Sequence, residues 1–488
     1  MWSIDRPGRA GRGAGADAIY VRLAARLVAD IRRGALRAGD RLPSTRALAR
    51  DLAVNRNTVV AAFDELTAQG WIVSRGAAGS FVSAELPDRP VTRAKRAPAP
   101  PERPAFAMRA IASPTLANLF ADDARTWLSQ GVPDPRLVPT AMIARAYRRA
   151  MRSRAGRIAL DYAAPHGAPQ LRLAIAAMLR RERGLTCTAD NVLVTRGSQQ
   201  AIDLVARLLI ARGDRVAVEE LGYRPAWRAF EEAGARLVGV PLDDAGLVVA
   251  KLGAAPRALY VTPHHQYPTT VLMSPPRRMA LLARAAADGF AILEDDFDHE
   301  FHFDGRPVAP LAAEDRAGSV VYIGTLSKVL APGLRLGYAV GPRALVDELA
   351  RLRAASDRQG DQVLELAVAE LMDQGELARH ARTVRRRYLA RRDALVTALG
   401  RELPRALTFT LPPGGITLWA RIADDIDPAA WQRAALARGL AVGIGRDFDL
   451  AARPLPFLRL GFARLDEREL ADGIRGLRLA LDDRGVRT

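Results

Sequence analysis

The stretch YIGTLSKVLAPGLRLGY, residues 322–338, contains a letter that asks for a reason. The chain carries 72 lysines and arginines, yet its lysines are only Lys95, Lys251 and Lys328. Arginine does nearly every cationic job, so a lysine between Ser327 and a Val-Leu pair stands out. A guanidinium stays protonated in proteins and cannot act as an amine nucleophile, whereas a lysine can lose its proton and form a Schiff base. Lys328 is therefore the first candidate for covalent chemistry.

Working outward, VVYIG (320–324) belongs to a series of apolar runs: NVLVT (191–195), RVAVE (215–219), ALYVT (258–262) and FAILE (290–294). They alternate with amphipathic helical stretches from about residue 120 onward. That alternation predicts a largely parallel sheet covered by helices on both faces. Beyond residue 343 a helix-rich stretch to about 400 precedes LTFTL, ITLWARI and FLRLGFA, which predict a smaller α+β lobe. The expected fold is thus α/β, with a second module in front of it.

At 488 residues the chain has room for two or three domains with real cores. Its 49% hydrophobic and 26% charged content fits a soluble globular protein. A formal charge of +18 makes an anionic partner, nucleic acid first, the natural expectation. The lone Cys187 excludes an intrachain disulfide framework and a cysteine-built zinc site, and suits a reducing cytosol. The opening MWSIDRPGRAGRGAGAD has no apolar core, so no signal peptide is expected. No apolar run reaches the roughly 18 residues of a membrane span. A cytoplasmic protein is the expectation.

Residues 1–17 read as a disordered arm. Within 18–84, AIYVRLAARLVADIRRG sets Tyr20, Leu23, Leu27 and Ile31 on one helical face ending at Gly34. Then GDRLPSTRALARDLAVNRNTVVAAFDELTAQGW predicts two further helices, the first capped by Ser44, the second running from near Asn55 to Gln69 and stopped by Gly70. Two short helices around a tight turn match a helix-turn-helix, with the second helix in the major groove. Arg46, Asn55, Arg56, Asn57 and Thr58 are the candidate DNA contacts. WIVSRGAAGSFV reads as a wing of two strands that brings Arg75 to the DNA backbone. Residues 1–84 hold 13 arginines and 7 acids, a net of +6 that fits DNA contact. Residues 85–119, with PDRPVTRAKRAPAPPERP at 87–104, read as a Pro-rich linker.

In the second module, VTRGSQQAIDL runs a strand into a helix through Gly197, so the backbone N–H groups of Ser198 and Gln199 form a phosphate site. FAILEDDFD ends a strand in carboxylates, where Asp295 suits a protonated ring nitrogen. Thr325 and Ser327 add hydroxyls, and Arg335 adds a bidentate cation. A lysine amine, a carboxylate for a pyridinium and a phosphate cup are what pyridoxal phosphate requires.

At these residues two resemblances become specific. GDRLPSTRALARDLAVNRNTVVAAFDELTAQGWI resembles the winged helix of GntR-type bacterial regulators, with Asn55 where serine is more usual. Residues 120–488 resemble fold-type I aminotransferases. That resemblance implies Lys328 as the internal aldimine and Asp295 as the pyridine partner. It implies a phosphate cup of Ser198, Gln199, Thr325, Ser327 and Arg335, with Tyr223 stacking on the ring. Arg459, in FLRLGF, would bind a substrate carboxylate; Arg446, in GIGRDF, is a second candidate that better matches the regulator branch. The order of the modules, with TPHHQYPTT (262–270) and EDDFDHEFHFDG (294–305), resembles the MocR/GabR-type branch of the GntR family. The branch implies a head-to-tail homodimer on operator DNA and an effector that is an amine, an amino acid or the vitamer itself. Phe297 stands where many relatives have a tyrosine that hydrogen-bonds the cofactor, a role Tyr267 is expected to take over. Thr270 stands where a glycine is usual.

Two alternatives compete for the same residues. Asp295, Asp296, Asp298, His299, Glu300, His302 and Asp304 crowd ten positions but lack the fixed spacing of a helical metal motif, so no metal is expected. His264 and His265 are expected to line the pocket. A working aminotransferase with a DNA-binding arm is the alternative function; the intact winged helix favours regulation.

Overall fold

Leu23, Leu27 and Ile31 recur every fourth residue, which puts them on one buried face of helix α1 (Ile19–Arg32). The computed structural model describes residues 19–87, 106–107, 126–129, 131–305, 307–483 and 486. The arm at 1–17 and most of the linker at 85–119 lie outside them. The chain divides into two compact units, Met1–Ile111 and Ala112–Thr488.

In the first unit α1 is followed by α2 (Thr45–Asp51) and α3 (Arg56–Ala68). Ser44 Oγ accepts from the Ala47 N–H at 3.2 Å and Asn55 Oδ1 from the Asn57 N–H at 2.8 Å, so each helix start is capped by its own side chain. Gly70, at φ +77°, ends α3 in the left-handed region. Strands β1 (Ile72–Ser74) and β2 (Ser80–Val82) pair antiparallel as a wing. Leu23, Leu27, Leu48, Val59, Phe63 and Trp71 fill the core.

The second unit is built on seven strands among the described residues: β3 (Val192–Thr195), β4 (Arg215–Glu219), β5 (Arg236–Val240), β6 (Ala258–Val261), β7 (Ala291–Asp296), β8 (Val320–Thr325) and β9 (Gly337–Val340). Their spatial order is β3-β9-β8-β7-β6-β4-β5, parallel from β8 to β5, with β9 antiparallel to both neighbours. Val192 and Val194 face one core and Leu193 the other; likewise Tyr322 opposes Val321 and Ile323. Burial on both faces explains why these strands read as unbroken apolar runs. The edge strand β5 is only partly covered, and β9 opens with a glycine that interrupts its apolar run, so neither stands out in the sequence. A second, antiparallel sheet of β10 (Leu407–Thr408), β11 (Thr417–Ile422), β12 (Gly443–Ile444) and β13 (Phe457–Gly461) runs in the order β10-β11-β13-β12. The carboxyl ends of β3, β6, β7 and β8 carry the candidate site, as open α/β sheets favour. No described helix is long and apolar enough to cross a membrane.

Candidate functional site

Lys328 lies three residues past the end of β8, where its Nζ donates to the Gly131 carbonyl at 2.8 Å. Burial pushes its pKa down to about 8, the Arg459 cation reinforces the shift, and Asp298 and Asp295 oppose it. A fraction on the order of a tenth of the amine is then unprotonated at pH 7. Gly131 has no room for a side chain: a Cβ there would sit 2.7 Å from Arg459 Nη2 and 2.8 Å from Thr417 Cγ2.

The acids closing β7 have different partners. Glu294 accepts from the Leu311 and Ala312 N–H groups at 2.8 and 2.9 Å. Asp296 accepts from Tyr322 Oη at 2.6 Å. Asp295 Oδ2 accepts from Tyr260 Oη at 2.7 Å, while its Oδ1 is buried without a partner. Burial raises the Asp295 carboxyl to about 7; the Tyr260 hydrogen bond opposes the shift, and the neighbouring Asp296 and Asp298 charges add to it. A buried acceptor left open is costly unless something supplies a donor.

At the other end of the site, β3 passes through Gly197, at φ +78°, into helix α4 (Ser198–Leu209). The Ser198 and Gln199 N–H groups lie at its start and have no intrahelical acceptor. Gly337 makes this junction fit: a Cβ on it would lie 2.6 Å from the Gly197 carbonyl carbon and 2.8 Å from Ser198 N. The exposed Arg335 guanidinium lies against Gly197 and donates to the Arg196 carbonyl at 3.0 Å. Thr325 and Ser327 are buried, and the Ser327 N–H donates to Thr325 Oγ1 at 3.1 Å. Gln199 Nε2 donates to the Pro225 carbonyl at 2.9 Å, and its Oε1 is buried and unpartnered.

Aromatic rings wall the space between. Tyr223, the residue before helix α5 (Arg224–Glu232), meets Tyr267 edge-on at 5.4 Å. Burial raises the Tyr223 hydroxyl, Tyr267 and Asp295 add to the shift, and the Arg335 and Arg459 cations oppose it. Its environment thus spans both ends of the site. The Arg459 guanidinium is buried, lies 4.3 Å from the centre of the Tyr267 ring and donates to the Ser129 carbonyl at 2.9 Å; its Nε has no partner. Phe297 lies 6.0 Å from the Tyr267 ring and offers no donor. Thr270 adopts φ +65°, the left-handed region where glycine is the unstrained residue. Arg446 differs from the rest: it is exposed, and its carbonyl accepts from Arg224 Nη2 at 3.1 Å.

Three groups at this site escaped the sequence. Tyr260 reaches Asp295 from the neighbouring strand, Gly131 reaches Lys328 from 197 residues away, and Glu219 accepts from Thr262 Oγ1 at 2.8 Å. None has a local signal, because each contact depends on strand order or chain return.

In the first unit Asn55, Arg56 and Asn57 are exposed at the start of α3 and Thr58 is half-buried. Arg46 is exposed on α2, and the exposed Arg75 guanidinium lies 5.0 Å from the Phe81 ring at the wing. Arg41, exposed and bridged to Phe81, joins them beside the wing. Only the fold of the wing brings it there.

The fold and these residues define a class I and II aminotransferase-type domain carried behind a winged helix. The profile for aminotransferase class I and II matches residues 126–477, and that for bacterial regulatory proteins of the gntR family matches 19–82. A probable rhizopine catabolism regulatory protein, MocR, of Rhizobium meliloti is 34% identical over 94% of this chain and 94% of its own length. The transcriptional regulator TauR of Rhodobacter capsulatus is 31% identical over 92% and 93%. Kynurenine aminotransferase of Pyrococcus horikoshii, solved with PMP, superposes at a TM-score of 0.71, with 31% identity over 77% of this chain and 95% of that one. The chain belongs to the MocR-type regulators of the GntR family, which join a DNA-binding winged helix to an aminotransferase-like domain. Its class I and II aminotransferase homologues depend on pyridoxal phosphate.

Proposed function

We propose that this chain is a pyridoxal-phosphate-dependent transcriptional regulator that senses an amine, an amino acid or the vitamer itself at Lys328 and changes its operator affinity in response. The observation that carries this reading is the pairing of a desolvated lysine with a buried Asp295 oxygen that lacks a donor. The residues fit the cofactor: the open Asp295 Oδ1 suits a pyridine N–H, and the N–H groups of Ser198 and Gln199, with Thr325, Ser327 and Arg335, suit its phosphate. When bound, the cofactor supplies an aldehyde carbon and an electron-withdrawing ring.

The chain's own groups do the rest. Lys328 Nζ, unprotonated in part at neutral pH, is the attachment point. Asp295 holds the ring nitrogen's proton, and Tyr260 holds the second carboxylate oxygen in place. Tyr223 covers the ring face, and the Tyr267 hydroxyl takes the donor role that Phe297 lacks. Arg459, buried and with Nε open, orients an acidic group on the effector; Arg446 is a second contact for it. Arg46, Asn55, Arg56, Asn57, Thr58 and Arg75 contact operator DNA. The regulator acts in the cytoplasm as a head-to-tail homodimer; light scattering of the purified chain tests whether it is dimeric.

Visible absorbance of the purified protein before and after borohydride, beside Lys328→Ala, tests the centre of this reading. A band that reduction fixes in the wild type and that the variant lacks is the expected result. No band after adding pyridoxal phosphate overturns it. The intact set of Lys328, Asp295 and Arg459 favours a second reading, amino-group transfer; sustained turnover with an amino donor and a keto acid would replace regulation alone with a bifunctional protein.

A further inference from the structure

Beside this site, and with no part in the chemistry proposed above, four histidines meet in the interior. His264, His265, His299 and His302 come from the loop after β6 and the segment after β7, and all are buried. His264 stacks on His299 with ring centres 4.5 Å apart and meets His265 edge-on at 4.4 Å; His265 and His302 lie nearly parallel at 5.8 Å. Both ring nitrogens of His264, Nε2 of His265 and Nδ1 of His302 have no hydrogen-bond partner. His264 is 2% exposed, so these nitrogens do not find their partners in bulk water. Packing three or four imidazoles together with their lone pairs unanswered is costly for a core and has no structural benefit that aliphatic side chains would not supply better.

We infer that His264, His265 and His302 form a binding site for a divalent transition metal of the zinc class. One ligand nitrogen from each lies within 4.8 Å of the others, against about 3.4 Å between ligands of a tetrahedral centre with Zn–N bonds near 2.1 Å. Ring rotations of about an ångström close that gap. His265 is already oriented: its Nδ1 lies 2.8 Å from Asp298 Oδ1, which leaves Nε2 as the free lone pair. A carboxylate behind an imidazole is how metal-bound histidines are held in the correct tautomer. The Gly414 backbone packs closely against this ring, since a Cβ on it would sit 2.3 Å from Nε2, so His265 has little freedom to turn away. A second trio, His264 with Asp296 and His299, is less available, since His299 Nδ1 lies 2.9 Å from Asp296 Oδ2 and Asp296 also takes the Tyr322 hydroxyl. Asp298 offsets the ion's charge; Arg183 already answers Asp296. Three neutral imidazoles suit zinc, nickel, cobalt or copper, and not calcium or magnesium, which prefer oxygen.

The site stands independently of the cofactor reading, so the test uses untagged full-length protein with and without pyridoxal phosphate. Chelator-stripped protein is titrated with zinc against a chromophoric chelator, and bound metal is counted by mass spectrometry. One zinc per chain is expected, held in both conditions. His264→Asn and His302→Ala each weaken it at least tenfold, Asp298→Asn by about 10–100-fold, and His166→Ala, which lies elsewhere in the unit paired with Asp347, leaves it unchanged. Stoichiometric zinc that persists in both ligand variants overturns the site, as does no zinc held against the chelator. X-ray absorption of the zinc-loaded wild type decides the matter even where a variant fails to fold: a first shell with three imidazoles supports the site, and fewer than two overturns it.

Discussion

The Lys328 amine and the Arg459 guanidinium are two cations in one enclosure, and their mutual repulsion adds to the burial that lowers the lysine. Attachment to an aldehyde needs the neutral amine, so its rate rises with pH through a midpoint of about 8. Replacing Arg459 with methionine removes one cause of the shift, and the midpoint moves upward toward the ordinary lysine value. At pH 7 the variant attaches pyridoxal phosphate several-fold more slowly, which stopped-flow absorbance measures. An unmoved midpoint would mean that Arg459 does not contribute and that burial, against Asp298 and Asp295, sets the amine. Lysine at 328 was legible from letters because it is rare among the cations of this chain. Its acceptor, Gly131, was not, since nothing local distinguishes that glycine until the chain folds back onto β8.

At the scale of elements, the phosphate end rests on two glycine-bearing backbones in contact. A methyl group on Gly337 would press into Gly197 and Ser198 backbone atoms, which cannot swing away as a side chain would. Gly337→Ala is expected to destabilise the fold by about 1–3 kcal/mol and to weaken pyridoxal phosphate binding at least tenfold. Denaturant unfolding and a cofactor titration read the two effects separately. Unchanged affinity in a folded variant would remove the Ser198–Gln199 turn from the phosphate assignment. The elements were the most readable level: the runs that become β3, β4, β6, β7 and β8 are apolar because helices cover both of their faces. The cap Ser44 was readable for the same kind of reason, being a short polar side chain just ahead of an amphipathic repeat, whereas the capping role of Asn55 came only with the structure. Strands β5 and β9 were not, because one is an exposed edge and the other opens with a glycine that interrupts its apolar run.

For the molecule as a whole, the two compact units carry separate chemistries, DNA contact in one and the lysine site in the other. Arg56→Ala with Asn57→Ala is expected to abolish operator binding while the visible band at Lys328 stays unchanged. Arg46→Ala weakens binding to all sequences evenly and lowers the salt slope by about one. Gel shifts across a salt series, read beside the absorbance spectrum, check both. A lost visible band in the double variant would mean that the units are not energetically separate. The sequence alone determined the order of modules, the sheet class, the candidate lysine and the helix-turn-helix, because each is written in neighbouring residues with a fixed period or a rare letter. Only the tertiary structure decided that Tyr260 holds Asp295, that Arg459 shares an enclosure with Lys328, and that His264 and His265 meet His302. Those contacts join residues from different strands and loops, and strand order is set by burial of the whole sheet rather than by any local pattern.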